Sequence, residues 1–234
     1  MKRSAALVLA ALAALLPGSA SATGTVRLLS EGADYAIPVA TLKELRDRRA
    51  FRTTIRQQHD FSCGSAAVAT LLTYQYGRPV TEAEVFRVMY EHGDKAKIQR
   101  YGFSLLDMKR YLASVGFEAD GFEVTLDKLA EVRVPAIALV RENGYNHFVV
   151  VKGVRDGKVL VGDPSSGGRI FPRAEFEGIW LEKILFVIRN HTNLARFDVP
   201  DQWQVRLPAP LGAESMNRAG LADPTLMMRG PNDF

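Results

Sequence analysis

The sequence predicts an α+β fold, in which helices from the first half of the chain pack on an antiparallel β-sheet from the second half. Between Cys63 and Glu131 the segments have helical caps and helical apolar spacing, whereas from Ala136 to Ile188 short Val-, Ile- and Leu-rich runs alternate with turn residues. Helices first and strands second are typical of α+β domains rather than of alternating βαβ units.

The N-terminus has the layout of a secretory signal peptide. Lys2 and Arg3 precede an apolar run from Ala5 to Leu16, and Ala20-Ser21-Ala22 offers the small residues needed for cleavage, which we expect after Ala22. The run is shorter than the roughly 20 residues that a membrane-spanning helix needs, so a cleaved leader is favoured over an anchor. The mature protein is therefore expected to be periplasmic, with no stable membrane span.

The composition argues against several classes of function. Loss of Lys2 and Arg3 with the leader lowers the formal net charge from +4 to about +2, and no Lys/Arg cluster with interleaved aromatic residues is present, so nucleic acid is not an expected partner. A single cysteine excludes a disulfide framework and a Cys-rich zinc site. We expect neither a metal nor another cofactor.

The helical half begins with an N-terminal extension, residues 23–51, which holds a short strand from Thr25 to Ser30 and a charged helix from Thr41 to Phe51. A buried helix from Cys63 to about Tyr76 is expected next, because its residues are small and apolar. Three further helices are expected: one opened by a Thr81–Glu84 capping box and ending near His92, one opened by Ser104 and Asp107 and ending at Gly116, and one from Leu126 to Glu131.

The strand half is expected to form an antiparallel meander with a hairpin turn at Asp156-Gly157. Its predicted strands are Ala136–Arg141, His147–Val154, Lys158–Val161 and Lys183–Ile188. The main domain is thus expected over residues 52–192. Residues 193–234 are expected to form an extended or partly disordered tail, of which Trp203, Leu207 and Leu211 could lie along the body.

The lone cysteine lies where the buried helix is expected to begin. Ser62 is a suitable N-cap, so Cys63 is placed in the first turn, where unpaired N–H groups and the helix dipole favour a thiolate. Gly64 allows other groups to approach closely. The alternative is a packed core cysteine with no chemical role.

His147 and Asp163 lie near the open end of the predicted hairpin. Pairing across Asp156-Gly157 places His147 opposite about residue 166, so a small bulge or loop shift is needed to bring it to Asp163. The carboxylate could then fix the imidazole tautomer and leave the other ring nitrogen for the thiol. Both residues could instead be ordinary surface or turn residues, and His59 competes for the role of base.

Together these residues resemble the C39 family of cysteine peptidases, papain-like domains known from bacteriocin-processing exporters. The resemblance runs from about Arg52 to Arg189 and includes Phe176 to Trp180. It rests on Gln57 six positions before Cys63-Gly64, on the run His147-Phe148-Val149-Val150-Val151, and on Gly162-Asp163-Pro164. It implies a papain-like fold.

The resemblance also implies a role for each matching residue. Cys63 would be the nucleophile, His147 the general base and acid, and Asp163 the group that orients His147. Gln57 would donate its side-chain amide to the oxyanion together with the Cys63 backbone N–H, with the adjacent Gln58 as the alternative donor.

A freestanding, exported protein of this layout resembles the peptidases of bacterial functional-amyloid (Fap-type) secretion systems. This implies polypeptide substrates such as amyloid subunits or secretion components. The sequence shows no exporter membrane spans and no Gly-rich phosphate loop, so Gly-Gly leader specificity is not implied. Two other functions stay open: a non-cleaving module that binds substrate segments, and another papain-like acyl transferase such as a transglutaminase or a cell-wall amidase.

Overall fold

The computed structural model describes residues 24–30, 33–39, 42–142 and 144–205. The predicted signal peptide, Leu207 and Leu211 lie outside the described residues. The chain divides into two compact units between Lys43 and Glu44. No helix within the described ranges is long and apolar enough to cross a membrane.

The smaller unit contains an antiparallel hairpin of β1 (Gly24–Ser30) and β2 (Ala33–Val39). β1 confirms the predicted strand, whereas β2 was not predicted. Pro38 lowers the strand signal of β2 because proline cannot donate to a ladder. A two-stranded hairpin accommodates it, since each strand has one unpaired edge.

The remaining described residues form helices and one six-stranded sheet. The helices are α1 (Leu42–Ala50), α2 (Cys63–Thr70), α3 (Glu82–His92), α4 (Lys95–Tyr101), α5 (Leu105–Ser114), α6 (Leu126–Val132) and α7 (Arg173–Ile179). The strands are β3 (Ala119–Glu123), β4 (Ala136–Glu142), β5 (Tyr145–Arg155), β6 (Lys158–Asp163), β7 (Gly167–Pro172) and β8 (Trp180–Ile188).

The sheet is antiparallel throughout, with strand order β3-β8-β4-β5-β6-β7. The predicted meander is confirmed for β4 to β6 and continues into β7, which was not predicted. The last predicted strand, β8, does not extend the meander but returns to the far side of β4. The sequence pattern also gave no indication of β3, α4 and α7.

Apolar side chains cover both faces of the sheet. Helices α2, α3 and α5 pack on one face around Ile137, Val150 and Phe186. Helices α6 and α7 pack on the other face around Val149 and Val161. The sheet is therefore a buried central layer, which explains the nearly continuous apolar runs in β4 and β5.

The central helix α2 is buried along its whole length and continues into one π-helical turn, Leu71–Gln75. Its close packing requires Gly64, because a Cβ atom at this position would lie 2.9 Å from the Cβ atom of Phe103. The expected role of Gly64 in permitting close approach is thus confirmed, and the approaching group is Phe103.

The hairpin of β5 and β6 contains one extra residue. Asp156 and Gly157 both have positive φ, as a two-residue type I′ turn requires. Gly153 pairs with Leu160 next to the turn, but Val151 pairs with Val161, so Lys152 forms a β-bulge. The side chain of Lys152 is turned into the protein and is only 1% exposed.

The segment after β8 packs on the domain as far as the structure describes it. The backbone N–H of Arg196 donates to the Gln75 carbonyl at 2.8 Å, and that of Asp198 donates to the Lys152 carbonyl at 2.7 Å. Phe197 is buried, and Trp203 donates its ring N–H to Asp198 at 2.8 Å. The part of the predicted tail up to Val205 is thus in contact with the body, as anticipated for Trp203.

We predict that Gly64→Ala lowers the free energy of unfolding by about 1–3 kcal/mol, because α2 and Phe103 must separate to admit the methyl group. Gly178→Ala is the matched control. Gly178 lies in α7, and a Cβ atom added there would meet nothing within 4 Å, so alanine should leave stability unchanged or raise it by up to about 1 kcal/mol. Urea unfolding measures both; equal effects of the two substitutions would contradict the packing described.

Candidate active site

Cys63 is the first residue of α2, as the sequence predicts. The predicted cap is wrong, because the Ser62 side chain makes no capping bond to α2. Its hydroxyl instead donates to the His59 carbonyl at 3.0 Å and accepts from the His59 N–H at 3.1 Å. Ser62 therefore stabilises the turn that leads into the helix, and leaves the first N–H groups of α2 free to face the thiol.

The environment of the Cys63 thiol differs from the expectation of a thiolate favoured by the helix alone. Burial raises the pKa of the thiol, while backbone N–H groups of Phe148, Gly64 and Cys63 itself act in the opposite direction, and the negative charge of Asp163 adds to the rise. The net pKa is raised, because Cys63 is only 8% exposed and the loss of solvation outweighs the backbone donors. A thiolate here needs a nearby base or cation.

His147 and Asp163 are in contact, with 3.4 Å between His147 Nε2 and Asp163 Oδ2. The bulge at Lys152 explains how. On the His147 side of the bulge, Val150 pairs with Gly162. Continuing this register places His147 opposite residue 165, two positions from Asp163. Since side chains alternate between faces, an offset of two leaves His147 and Asp163 on the same face, whereas the unbulged offset of three would separate them.

Asp163 is held by a dense set of donors. Its Oδ1 accepts from the backbone N–H and hydroxyl of Ser165 at 2.8 and 2.7 Å, and its Oδ2 accepts from the Ser166 hydroxyl at 2.7 Å. Burial alone raises the pKa of this carboxyl, but the bonds from His147, Ser165 and Ser166 and the charge of His147 outweigh it and hold the pKa well below its usual range. Asp163 is therefore an anion at neutral pH.

Arg169 on β7 joins this network, and the sequence analysis did not identify it. Its guanidinium makes a bidentate ion pair with Glu142 at 2.7 and 2.8 Å and reaches Asp163 Oδ2 at 3.3 Å. Ligand atoms of Glu142, His147 and Asp163 lie within 4.8 Å of one another, as a cation site requires. Arg169 already bonds both carboxylates, so its guanidinium supplies the positive charge there.

Gln57 lies beside the same network. Its backbone N–H donates to the carbonyl of Pro164, the residue after Asp163, at 3.0 Å. Its side-chain amide donates to the His59 carbonyl at 3.1 Å, within the turn that leads to Cys63. The same amide nitrogen lies 3.5 Å from the Asp60 carbonyl, so the Gln57 side chain is fixed in this turn.

An open cavity of about 710 Å³ brings three of the four sequence-predicted residues together: Gln57, His147 and Asp163 line it, with Asp60, Tyr145 and Arg169. Cys63 is not among the lining residues. Its thiol faces the backbone N–H of Phe148, which directly follows His147, and is affected by the charge of Asp163. Gln58 and His59 are not among the residues that line the cavity, and the His59 ring stacks on Phe61 and packs at a tilt against Phe86.

Comparison with known proteins identifies the family of this chain. The model of the peptidase C39 family matches residues 52–192. The chain belongs to the C39 peptidase family. The matched range contains Gln57, Cys63, His147 and Asp163.

Relatives of this C39 protein include two proteins named as probable functional amyloid proteases, FapD. That of Pseudomonas aeruginosa is 40% identical over 147 residues, which cover 63% of this chain and 65% of the relative. That of Pseudomonas fluorescens is 39% identical over 145 residues, or 62% of this chain and 64% of the relative. The aligned part thus spans slightly less than two thirds of each relative.

A solved structure confirms the papain-like α+β fold. The peptidase domain of Streptococcus ComA, a bi-functional ABC transporter involved in a quorum-sensing pathway, matches with a TM-score of 0.50 at 18% identity. The match covers 58% of this chain and 96% of that domain. At this identity the likeness is one of fold.

We predict that the stabilising effect of Asp163 is lost at acidic pH. Its folded-state pKa lies below its unfolded value of about 3.9, so the contribution is complete above about pH 5 and falls as protons bind. The free energy of unfolding of the wild type, minus that of Asp163→Asn, should shrink from pH 6 to pH 3 in urea titrations. A difference that does not change with pH would contradict the low pKa.

Proposed function

We propose that this protein is a periplasmic cysteine endopeptidase that uses a Cys63–His147–Asp163 triad with Gln57 as oxyanion donor. The observation that carries the proposal is the His147–Asp163 pair, which lines one cavity with Gln57, and in which His147 directly precedes Phe148, whose backbone N–H faces the Cys63 thiol. Family membership supports peptide-bond cleavage, and the signal-peptide pattern of residues 1–22 supports export.

The first step is transfer of the Cys63 proton to His147. Asp163 occupies Nε2 of the ring, which leaves Nδ1 for the thiol. Because burial raises the pKa of Cys63, the thiol needs this base in order to attack. The imidazolium formed is stabilised by the Asp163 carboxylate, which itself stays ionised.

The thiolate then attacks the carbonyl carbon of the substrate, and negative charge develops on the carbonyl oxygen. The Cys63 backbone N–H and the Gln57 amide are the donors assigned to this oxygen. His147 returns its proton to the leaving amine, which gives an acyl-enzyme. A water molecule, deprotonated by His147, hydrolyses the thioester and frees Cys63.

The substrates we assign are exported polypeptides of a functional-amyloid secretion system, such as amyloid subunits or secretion components. The support is the similarity, at 39 and 40% identity, to two proteins named as probable functional amyloid proteases. An open cleft of about 710 Å³ suits an extended peptide segment rather than a small ligand held on all sides.

We predict that Cys63→Ala abolishes cleavage and that His147→Ala lowers kcat/KM by at least about 10³-fold, since the two side chains act as a unit. Gln57→Ala should lower kcat about 10²–10³-fold through loss of one oxyanion donor. The measurement adds each purified variant to periplasmic extract from cells that lack the gene, labels new N-termini, and then follows one identified substrate kinetically.

The matched control is Gln58→Ala, which removes an exposed neighbour outside the cavity and should keep full activity. Cleavage that survives in Cys63→Ala would reject the peptidase mechanism. Binding of an extract protein without any new N-terminus would favour a non-cleaving module, and release of muropeptides or glutamine-linked products would favour another acyl transfer.

A further inference from the structure

The buried cation in β5 has no part in the chemistry described so far. Lys152 is among the largest fully buried side chains, and its ammonium contacts three oxygen atoms. These are the Thr53 carbonyl, the Thr53 hydroxyl at 3.1 Å and the Thr54 hydroxyl at 3.0 Å. Among the described residues, no carboxylate lies within ion-pair distance of Lys152.

Stability does not explain this lysine. Burying an ammonium group without a counter-charge is costly, and an apolar side chain of similar length would fill the same space without that cost. The burial lowers the pKa of Lys152 to about 7, with a further contribution from the charge of Arg52. Gly162 is needed to make room, because a Cβ atom there would lie 2.5 Å from Lys152 Cε.

The partners of Lys152 begin the segment that leads to Gln57. After Thr53 and Thr54, the Ile55 N–H donates to the Thr70 hydroxyl of α2 at 2.9 Å, and the Gln57 N–H donates to Pro164 at 3.0 Å. The segment thus runs between the helix that carries Cys63 and the loop that begins after Asp163. Lys152 holds the beginning of this segment, at Thr53 and Thr54.

We propose that Lys152 is a positioning residue that holds Gln57 in register with Cys63 by clamping Thr53 and Thr54 to the β5 bulge. In its protonated form the Lys152 side chain has three donors, and the Thr53–Thr54 pair offers three acceptors. The inference rests on the proposed peptidase function and adds a residue that acts on the oxyanion donor, not on the thiol.

The test compares Lys152→Met with the wild type in three assays. We expect kcat to fall about 10–100-fold with KM within about twofold, and the rate of Cys63 alkylation by iodoacetamide to stay within about twofold, because alkylation forms no oxyanion. In the Gln57→Ala background, Lys152→Met should lower kcat by less than about a further threefold, since the donor that Lys152 positions is already gone.

A purely structural role gives a different pattern. Lys152→Met would then slow alkylation as well, and it would lower kcat by the same factor with and without Gln57. Either of these results overturns the proposal, and so does a kcat within about twofold of the wild type. Cleavage retained in Cys63→Ala would instead reject the peptidase function itself, whatever Lys152→Met does.

A second pair of variants covers the case in which Lys152→Met fails to fold. Thr54→Val removes one acceptor at nearly constant volume, whereas Thr54→Ser keeps the hydroxyl. We expect Thr54→Val to lower kcat at least about fivefold and Thr54→Ser to restore it to within about twofold of the wild type. Equal kcat values for the two variants would overturn the clamp.

Discussion

The candidate site depends on one extra residue in one strand. Without the bulge at Lys152, the hairpin of β5 and β6 would place His147 and Asp163 on opposite faces of the sheet. With it, both side chains face the same cavity and the imidazole reaches the carboxylate. The bulge is also the point at which Lys152 turns inward to Thr53 and Thr54, so one local feature connects the His–Asp pair with the segment that carries Gln57.

Burial and hydrogen bonding give Asp163, Cys63 and His147 different roles in the site. Asp163 stays ionised despite burial, because Ser165, Ser166 and His147 donate to it. Cys63 is kept neutral by burial, and so does not ionise through the helix N-terminus alone. The base that we propose is His147, whose ring contacts the Asp163 carboxylate at 3.4 Å. Arg169 and Glu142 add a neutralising pair that ties β7 to β4 beside the carboxylate.

The parts of this fold that depend on residues close together in the chain could be predicted from the sequence. The capping boxes Thr81–Glu84 and Ser104–Asp107 start helices where expected, because their signals depend only on residues three apart. The Asp156-Gly157 turn was predicted for the same reason. Strand β7 was not predicted, because Gly167, Gly168 and Pro172 are typical turn residues and become part of a strand only through pairing with β6.

Site features that depend on tertiary contacts were harder to predict. The residues Gln57, Cys63, His147 and Asp163 were identified by their order and by a family resemblance. Their electrostatics were not, because the burial of Cys63 by surrounding elements is not visible in its flanking residues. Lys152 gave no signal either, since lysine is ordinarily exposed and only the bulge directs it inward.

The pH dependence of Cys63 alkylation by iodoacetamide is the first measurement to make, because it tests whether His147, in contact with Asp163, is the base for the buried thiol. From about pH 4 to 10, the wild type should react at lower pH than His147→Ala, because the imidazole can accept the thiol proton. In His147→Ala the thiol has no base and burial raises its pKa, so reactivity should appear only at higher pH. Superimposable profiles for the two proteins would show that His147 is not the base for Cys63.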